Sequence, residues 1–315
     1  MDAGDLKVFA AVARLGGMNR AAAELNTVQS NITARIQALE ADIGCTLFQR
    51  HSRGVSLTPA GQRLLPYADR AAQLLADARR ATRDDGVPRG LLTIGSLETT
   101  AALRLTPLLA RFAGDNPEVD FVLRTGTTHE LIGDVLECRV DGAFVCGPVA
   151  HPELDEQAVF REELVVLAAP GVSSLDDALE PRGTRIVVLR AGCSYRQMLE
   201  KVLARRAIVV ERLLEFGTLE AIFGCVGAGL GITLLPRALV GPVCAKGRVS
   251  MHRLPRVHAM VDTVFLRRRD SFASSALRAF VRCAAGSFAD AGADERGKPR
   301  ARVVGALAAP RARSA

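Results

Sequence analysis

"QSNITARIQALEADIG", residues 29–44, decides the fold of the first part of the chain. Its large apolar side chains recur at helical spacing, at Ile32, Ile36, Leu39 and Ile43. On a helical projection they fall within about 60° of one another, so this face packs against a core. The opposite side is built from small or uncharged residues: Gln29, Ser30, Thr33, Ala34 and Gln37. The segment therefore predicts a short helix with one packing face and one polar, hydrogen-bonding face.

Two further helical patterns precede this segment. They consist of Leu6, Phe9, Ala10 and Ala13, and then of Ala21, Ala22 and Leu25. Asn19 is a candidate cap for the second helix, and "NTV" at 26–28 leaves only a tight turn before the third. Two short helices joined by so short a turn predict a helix-turn-helix. After Gly44, "CTLFQRHSRGVSLTP" (45–59) places short apolar pieces on either side of a polar turn, which predicts a small hairpin, or wing.

The polar face of the third helix suits base edges in a DNA major groove. Short side chains that both donate and accept hydrogen bonds can reach those edges, whereas charged side chains belong on the phosphates. Arg35 flanks the face, Arg50 and Arg53 lie in the wing, and no acidic residue occurs between Asp42 and Asp69. The alternative is an ordinary solvated helix, which also displays Gln, Ser and Thr.

A long helix follows the wing. Thr58 and Pro59 form a good helix start. The apolar residues beyond them keep a 4-3-4-3 spacing: Leu64, Ala68, Ala71, Leu75 and Ala78. So narrow a seam is typical of a helix that pairs with a second helix, and Pro66 is expected to kink it near its start. "RDDGVPRG", 83–90, ends the helix with a linker composition.

From residue 91 strands and helices alternate. The predicted strands are "LLTIGS", "VDFVLRTG" and "DGAFVCGP", then "RIVVLRAG", "IVVERLLEFG" and "GITLLP". The helices between them predict a mostly parallel sheet in two α/β units. "VDTVFLRRR", 261–269, is interpreted as a strand returning to the first unit before a last helix through Ala276, Phe280 and Cys283.

Composition excludes several classes of protein. The 315 residues are 49% hydrophobic, and the seven cysteines are scattered without a Cys-x-x-Cys pair, which indicates neither a disulfide framework nor a metal site. We find no secretory signal and no membrane segment, and expect a cytoplasmic protein without a cofactor. The net charge of +7 arises mainly from the last twenty residues, which hold six basic and no acidic groups. We expect this tail, within residues 290–315, to be disordered.

Residues 21–61 resemble the N-terminal winged helix-turn-helix of LysR-type transcriptional regulators. The matching positions are Ala21, Ala22, Leu25, Gln29, Thr33, Ile36, Leu39, Glu40, Gly44, Leu47, Phe48, Arg50, Leu57, Thr58, Ala60 and Gly61. Two positions depart from the family pattern: Val28 replaces a common Ser cap, so that Thr27 is expected to cap instead, and Ala34 replaces a frequent Arg. The resemblance assigns base contacts to Gln29, Ser30 and Thr33, and phosphate contacts to Arg35, Arg50 and Arg53.

The resemblance extends to about residue 288 and implies four parts. These are a DNA-binding domain (1–58), a linker helix and hinge (59–90), a two-lobed effector domain of periplasmic-binding-protein type (91–289), and the tail. Lobe I is expected over about 91–162 and 267–289, and lobe II over about 163–266. The overall fold class is α/β, with an all-α winged domain in front.

In the family a small molecule lies between the lobes, at places that read here "SLETTAA", "RTGTTHE" and "GCSYRQM". The resulting candidates for effector contacts are Ser96, Thr99, Thr100, Thr127, Cys146, Ser194 and Thr218. Hydroxyls at strand-to-helix junctions, beside free N–H groups and helix dipoles, favour a carboxylate. Each hydroxyl has an ordinary alternative as a helix cap, and Cys146 as a core residue. Arg196 is either a partner for a carboxylate or part of a solvated helix face.

These features predict a transcriptional regulator that binds promoter DNA, an anionic effector and copies of itself. The resemblance implies that the assembly is a tetramer, a dimer of dimers. RNA polymerase is a further candidate partner. Two alternatives compete with this prediction. An enzyme would use Cys193 or Ser194 as nucleophile together with a histidine, but no Gly-x-Ser-x-Gly elbow surrounds either residue. No histidine has a metal-ligand spacing and no pair of carboxylates is marked out, so no catalytic residue is assigned. An architectural DNA-binding protein would not need some two hundred residues of α/β sequence.

Overall fold

A computed structural model describes residues 1–51, 54–180 and 183–293, and it divides into two compact units at Asp84/Asp85. The side chains of Arg50 and of residues beyond 285 are outside this description. Within the described ranges, none of the helices combines the length and apolar character needed to cross a bilayer. Residues 294–315, most of the predicted tail, lie outside the described residues.

The first unit is a three-helix domain with a wing and a long helix. Its elements are α1 (Ala3–Leu15), α2 (Met18–Glu24), α3 (Gln29–Ile43), β1 (Phe48–His51), β2 (Gly54–Leu57) and α4 (Pro59–Arg83). Strands β1 and β2 pair antiparallel, with Phe48 opposite Leu57. The winged helix-turn-helix and the long helix after it are confirmed. Thr58 caps α4 by accepting a hydrogen bond from the N–H of Gly61 (3.0 Å).

Two predicted helix caps are wrong. Helix α2 begins at Met18, two residues before the start that an Asn19 cap would give, and its cap is Gly17, so Asn19 lies inside the first turn. Helix α3 is capped by Val28 without a side-chain hydrogen bond. The hydroxyl of Thr27 instead accepts a hydrogen bond from the Asn31 amide (3.0 Å). In both cases the backbone of the tight turn before the helix determines which residue is the cap, whether or not that residue has a polar side chain.

The core of this unit lies between α1, α3 and the first turns of α4. Ile32, Ile36 and Leu39 are buried as predicted, and Phe9 of α1 packs on Phe48 of β1 with ring centroids 5.2 Å apart. Gly44 ends α3 in the left-handed region (φ 77°), where a residue with a side chain would be strained. The packing face of α3 is therefore fixed inside the domain.

The apolar seam of α4 is partly buried and partly exposed, which corrects the prediction of a single pairing seam. Leu64 and Ala68 belong to the core of the first unit, where α4 packs on α1. Leu75 and Ala78 remain exposed, and Leu74 adds to the exposed apolar surface. Of the predicted seam, Leu75 and Ala78 are thus the residues left available to a second chain.

The second unit alternates strands and helices. Its first half contains β3 (Gly90–Ser96), α5 (Glu98–Thr100), a π-helical turn (Ala101–Leu105), α6 (Thr106–Asp115), β4 (Val119–Thr125), α7 (Thr128–Leu136), β5 (Gly142–Cys146) and β6 (Leu154–Ala168). Its second half contains α8 (Leu175–Ala178), β7 (Arg185–Leu189), α9 (Ser194–Arg205), β8 (Arg212–Phe216), α10 (Leu219–Gly227), β9 (Thr233–Pro236), α11 (Arg237–Ala245), β10 (Ser250–Arg253), α12 (Arg256–Ala259), β11 (Met260–Arg268) and α13 (Ser275–Ala293).

The sheets are mixed rather than mostly parallel. Strand β3 pairs in parallel with β4 and β5, and β7 pairs in parallel with β8. The pairings of β11 with β5 and β6, and of β6 with β9 and β10, are antiparallel. The prediction failed because it missed β6, a fifteen-residue strand with the pattern of a charged loop in its first half.

Strands β6 and β11 connect the two lobes. Strand β6 pairs with β11 up to Glu163 opposite Met260, and from Leu164 onward it pairs with β9 instead. The outgoing lobe boundary near residue 163 therefore coincides with a change of strand partner. The return boundary was placed too late, because residues 260–266 pair with β5 or β6 of lobe I. Helix α13 also continues to Ala293, past the expected end of the domain at 289.

Candidate functional site

The exposed face of α3 is polar and uncharged. Gln29, Ser30 and Gln37 are exposed, and Thr33 is half-buried beside them. The amide of Gln29 donates a hydrogen bond to the Thr33 hydroxyl (3.3 Å), so these two side chains are oriented together. Such a face can offer donors and acceptors to base edges while the buried face holds the helix in the domain.

The N-terminus of α3 is open. Its cap residue, Val28, is 65% exposed and supplies no side-chain acceptor to the first N–H groups. Free N–H groups and the positive end of the helix dipole suit a phosphate. The replacement of a family Ser by Val28 therefore leaves the helix start available for an external anion.

The three predicted phosphate contacts have different outcomes. The Arg35 guanidinium donates to Asp5 of α1 at 2.7 and 3.1 Å and lies 3.3 Å from Asp2, and it lowers the pKa of the Asp5 carboxyl. Arg35 thus joins α3 to α1, and a phosphate contact would have to compete with this ion pair. Arg50 lies on β1, with its side chain outside the described residues, and Arg53 lies outside them altogether.

Glu40 ties the wing to α3. Its Oε1 accepts hydrogen bonds from the backbone N–H groups of Leu47 (2.7 Å) and Phe48 (3.1 Å). A carboxylate that accepts two N–H groups forms stronger hydrogen bonds than a neutral acceptor. The start of β1 is therefore held against the end of α3.

A cleft of about 390 Å³ lies between the two lobes of the second unit. Its walls come from four chain segments, each at the carboxyl end of a parallel strand: 97–99 after β3, 125–127 at β4, 189–195 at and after β7, and 217–218 after β8. Ligands of open α/β sheets bind in the crevice outside these strand ends. The volume is in the range usual for small-molecule pockets.

Four of the seven predicted effector residues line this cleft: Thr99, Thr127, Ser194 and Thr218. The structure does not bring the other three to its wall. Ser96 is fully buried and donates to the carbonyl of Leu97 (3.0 Å), and Thr100 is buried behind the cleft. Cys146 is buried, as in the alternative interpretation of a core residue. A strand-to-helix junction predicts the place of the cleft but not which of the side chains at that junction faces it.

Hydrogen bonds cross the cleft at its rim. Ser194 donates to the hydroxyl of Thr128 (2.9 Å), and Glu98 accepts from the backbone N–H of Leu219 at the start of α10 (3.2 Å). The Thr99 hydroxyl lies 3.5 Å from the Tyr195 hydroxyl, and burial raises the pKa of this phenol. The two lobes are therefore already in contact in this conformation.

Two charged side chains that line the cleft, Glu98 and Arg190, were not predicted from the sequence. Glu98 could have been found, because it stands within the quoted segment "SLETTAA". Arg190 follows β7 outside the family-implied segments. Arg196, by contrast, forms ion pairs with Glu200 (3.0 Å) and Glu215 (2.9 Å), which matches the solvated-face interpretation.

The cysteines near the cleft are poor nucleophiles. Burial raises the pKa of the Cys146 thiol to about 11, although a hydrogen bond with Ser194 partly offsets it, and burial also raises the pKa of Cys193. Because the thiolate is the reactive form, both groups are deactivated at neutral pH. Neither residue has the environment of an activated nucleophile.

We expect Cys45 to react with a thiol reagent such as DTNB long before Cys146 and Cys193. Cys45 is exposed, whereas at pH 8 the Cys146 thiolate is present at a level on the order of one in a thousand, and the residue is also buried. Labelling at pH 8, followed by peptide mass spectrometry, measures the order. Cys45→Ser should remove the fast phase, and fast labelling of Cys146 in the folded protein would contradict the prediction.

Comparisons with known proteins agree with this architecture. Residues 3–62 match the family model of the bacterial regulatory helix-turn-helix proteins of the lysR family, and residues 85–289 match the LysR substrate binding domain. An uncharacterized HTH-type transcriptional regulator of Bacillus subtilis, YusT, is 46% identical over 281 residues, which cover 89% of this chain and 94% of the relative. The HTH-type transcriptional regulator GltR of the same organism is 43% identical, covering 88% and 93%.

Among solved structures, full-length CbnR in complex with its target DNA superposes with a TM-score of 0.61 at 25% identity, covering 91% of this chain and all of that one. Both domain models and the full-length relatives lead to one assignment. The chain belongs to the LysR family of transcriptional regulators, with a DNA-binding helix-turn-helix domain and a ligand-binding substrate domain, and it is a regulator rather than an enzyme.

Proposed function

We propose that the protein recognises a specific promoter sequence through Gln29, Ser30 and Thr33 and responds to a small carboxylate-bearing effector in the cleft between its lobes. The observation that carries this proposal is the cleft itself, whose walls come from both lobes and include Arg190. A ligand there contacts both lobes at once, so its binding energy depends on their separation. Occupancy and lobe closure are thereby coupled.

The start of α9 supports an anionic effector. Helix α7 is capped by its own Thr127 and Glu130, and α10 by Thr218 together with Glu98. At α9 no side chain of the described residues caps the helix, and the weakly accepting sulfur of Cys193 is the acceptor near the first N–H groups. Ser194 begins this twelve-residue helix at the cleft wall. A carboxylate placed there gains N–H donors, a hydroxyl and the positive end of the helix dipole.

On DNA, the open N-terminus of α3 and the wing arginines Arg50 and Arg53 are assigned to the phosphates. Because Arg35 is held by Asp5, it has a smaller part in this scheme than the sequence suggests. Phosphate contacts set the position on the duplex and carry no sequence information. The target sequence therefore depends on a few side chains of α3.

Assembly is assigned to the second half of α4. Two copies pairing there form a dimer, and two dimers form a tetramer that can contact two DNA sites. Closure of the lobes around the effector changes how paired effector domains pack, and this repositions the winged domains and alters the DNA bend. RNA polymerase is a candidate partner of the assembly in the cytoplasm.

The test is a thermal-unfolding screen of the full-length protein against mono- and dicarboxylic acids, each hit being followed by footprinting on the promoter region of the protein's own gene. A ligand that binds only the native state raises the melting temperature. At least one carboxylate should do so and change the footprint. Ser194→Ala should weaken the shift, whereas Ser173→Ala, which removes a hydroxyl of lobe II outside the cleft, should leave it unchanged.

An effector-independent architectural protein gives a different result. It would bind promoter and random DNA equally and would show no thermal shift with any metabolite. No feature of the described structure favours that function over a regulator with a ligand cleft.

A further inference from the structure

Two opposite charges line the cleft. Glu98, from lobe I, is half-buried, and Arg190, from lobe II, is exposed at the other wall. Among the described residues neither side chain forms an ion pair, with the other or with a third group. The charge of Arg190 also lowers the pKa of the Glu130 carboxyl at longer range. The larger cause of that lowered pKa is the hydrogen bond that Glu130 accepts from the backbone N–H of Thr127 (2.8 Å).

Glu98 keeps accepting capacity. Its Oε1 accepts the N–H of Leu219, while its Oε2 accepts no hydrogen bond from any residue in the described ranges. An ionised carboxylate offers about four lone-pair sites, so one backbone N–H leaves most of them available. The negative charge also remains, because a single N–H does not neutralise it.

The two charges discriminate between ligand classes. A simple carboxylate pairs with Arg190 but brings a second negative charge close to Glu98. A simple amine pairs with Glu98 but brings a second positive charge close to Arg190. A neutral ligand leaves both charges without a partner in a partly desolvated site, which is unfavourable. A molecule with a carboxylate and an ammonium group satisfies both walls together.

We infer that the cleft selects a small zwitterion of the amino-acid type, with its carboxylate on Arg190 and its ammonium on Glu98. This inference rests on the proposed binding of a carboxylate effector in the same cleft and adds the second charge to it. Leu97 and Leu189, which also line the cleft, provide apolar surface for an aliphatic part of the ligand.

The test uses the full-length protein and matched sets of three compounds. All twenty L-amino acids are screened by thermal unfolding, and each hit is compared by calorimetry with its des-amino acid and its decarboxylated amine. For L-leucine these are 4-methylpentanoate and 3-methylbutylamine. We expect at least one amino acid to bind, and to bind about tenfold or more tightly than either analogue, since each analogue loses a charge-assisted contact.

Two variants separate recognition from a merely structural role. Glu98→Gln keeps an oxygen for the Leu219 N–H but removes the charge, so it should abolish the preference for the amino acid over its des-amino acid. Arg190→Gln should weaken the binding of both acids by about tenfold or more. Glu118→Gln and Arg185→Gln, exposed substitutions of the same kind outside the cleft, should change neither.

Each other outcome has a definite meaning. If des-amino acids bind as tightly as amino acids, or if Glu98→Gln weakens both equally, the zwitterion inference is wrong while the carboxylate effector stands. If carboxylic acids bind and no amino acid does, the conclusion is the same. If no compound with a carboxylate binds, both the inference and the proposed effector class fall.

Discussion

Leu75→Asp is expected to dissociate the assembled protein and to weaken operator binding. Leu75 is 46% exposed and Leu74 51% exposed on the half of α4 that does not pack on α1. In a paired helix the new carboxylate would lose water without gaining a partner, at a cost of about 3 kcal/mol or more per carboxylate. A dimer paired through this helix carries two such carboxylates, so the combined cost of about 6 kcal/mol or more corresponds to a factor on the order of 10,000 in its dissociation constant. Light scattering and operator titration measure the two effects.

Ala76→Asp is the matched control for this change. It places the same charge at an exposed position one residue further along, about 100° around the helix. The control should retain the size and DNA affinity of the unchanged protein. An unaltered molar mass for Leu75→Asp would show that α4 does not hold the assembly together.

The double variant Gln29→Ala/Thr33→Ala is expected to lose most of its preference for its own promoter while retaining general affinity for DNA. A good bidentate base contact contributes about 1–3 kcal/mol of discrimination. The two side chains are hydrogen-bonded to each other, so the single variants should not be additive. Competition of the promoter fragment against random duplex, at one fixed salt concentration, measures the ratio.

Gln157→Ala controls for the loss of an amide, because Gln157 is exposed on β6 of the other unit. It should leave the preference unchanged. If the double variant still favours its promoter as strongly as the unchanged protein, base recognition lies elsewhere than on this face of α3. A parallel loss of specific and random binding would indicate damage to the domain instead.

Periodicity predicted most of the fold. Ile32, Ile36 and Leu39 repeat at helical spacing, and they are the buried face of α3. The apolar strands flanked by helices were also located to within a few residues. Strand β6 was missed because its first half, which pairs with β11, is rich in charged residues and partly exposed. Within β6, Leu164–Ala168 is the segment that forms a buried apolar run. A strand that passes between two environments has no single pattern.

The site was less predictable than the fold. Sequence identifies junctions where backbone N–H groups are free, but it does not show which neighbouring side chain faces the cleft. Ser96 ends a strand and points into the core, whereas Glu98, two residues later, lines the cleft. Arg35 illustrates the same limit on α3, because its partner Asp5 is thirty residues away in the chain.

The paired crossing strands β6 and β11 limit how the lobes can move. Two hydrogen-bonded strands resist shear and separation more than they resist bending, so the lobes are expected to move mainly by bending about a single hinge axis. Effectors of different size are then expected to differ in the extent of closure and not in its direction. Effectors that close the lobes only partly should therefore give an intermediate change in promoter activity at saturation. A saturating ligand that reversed the response would contradict a hinge of this kind.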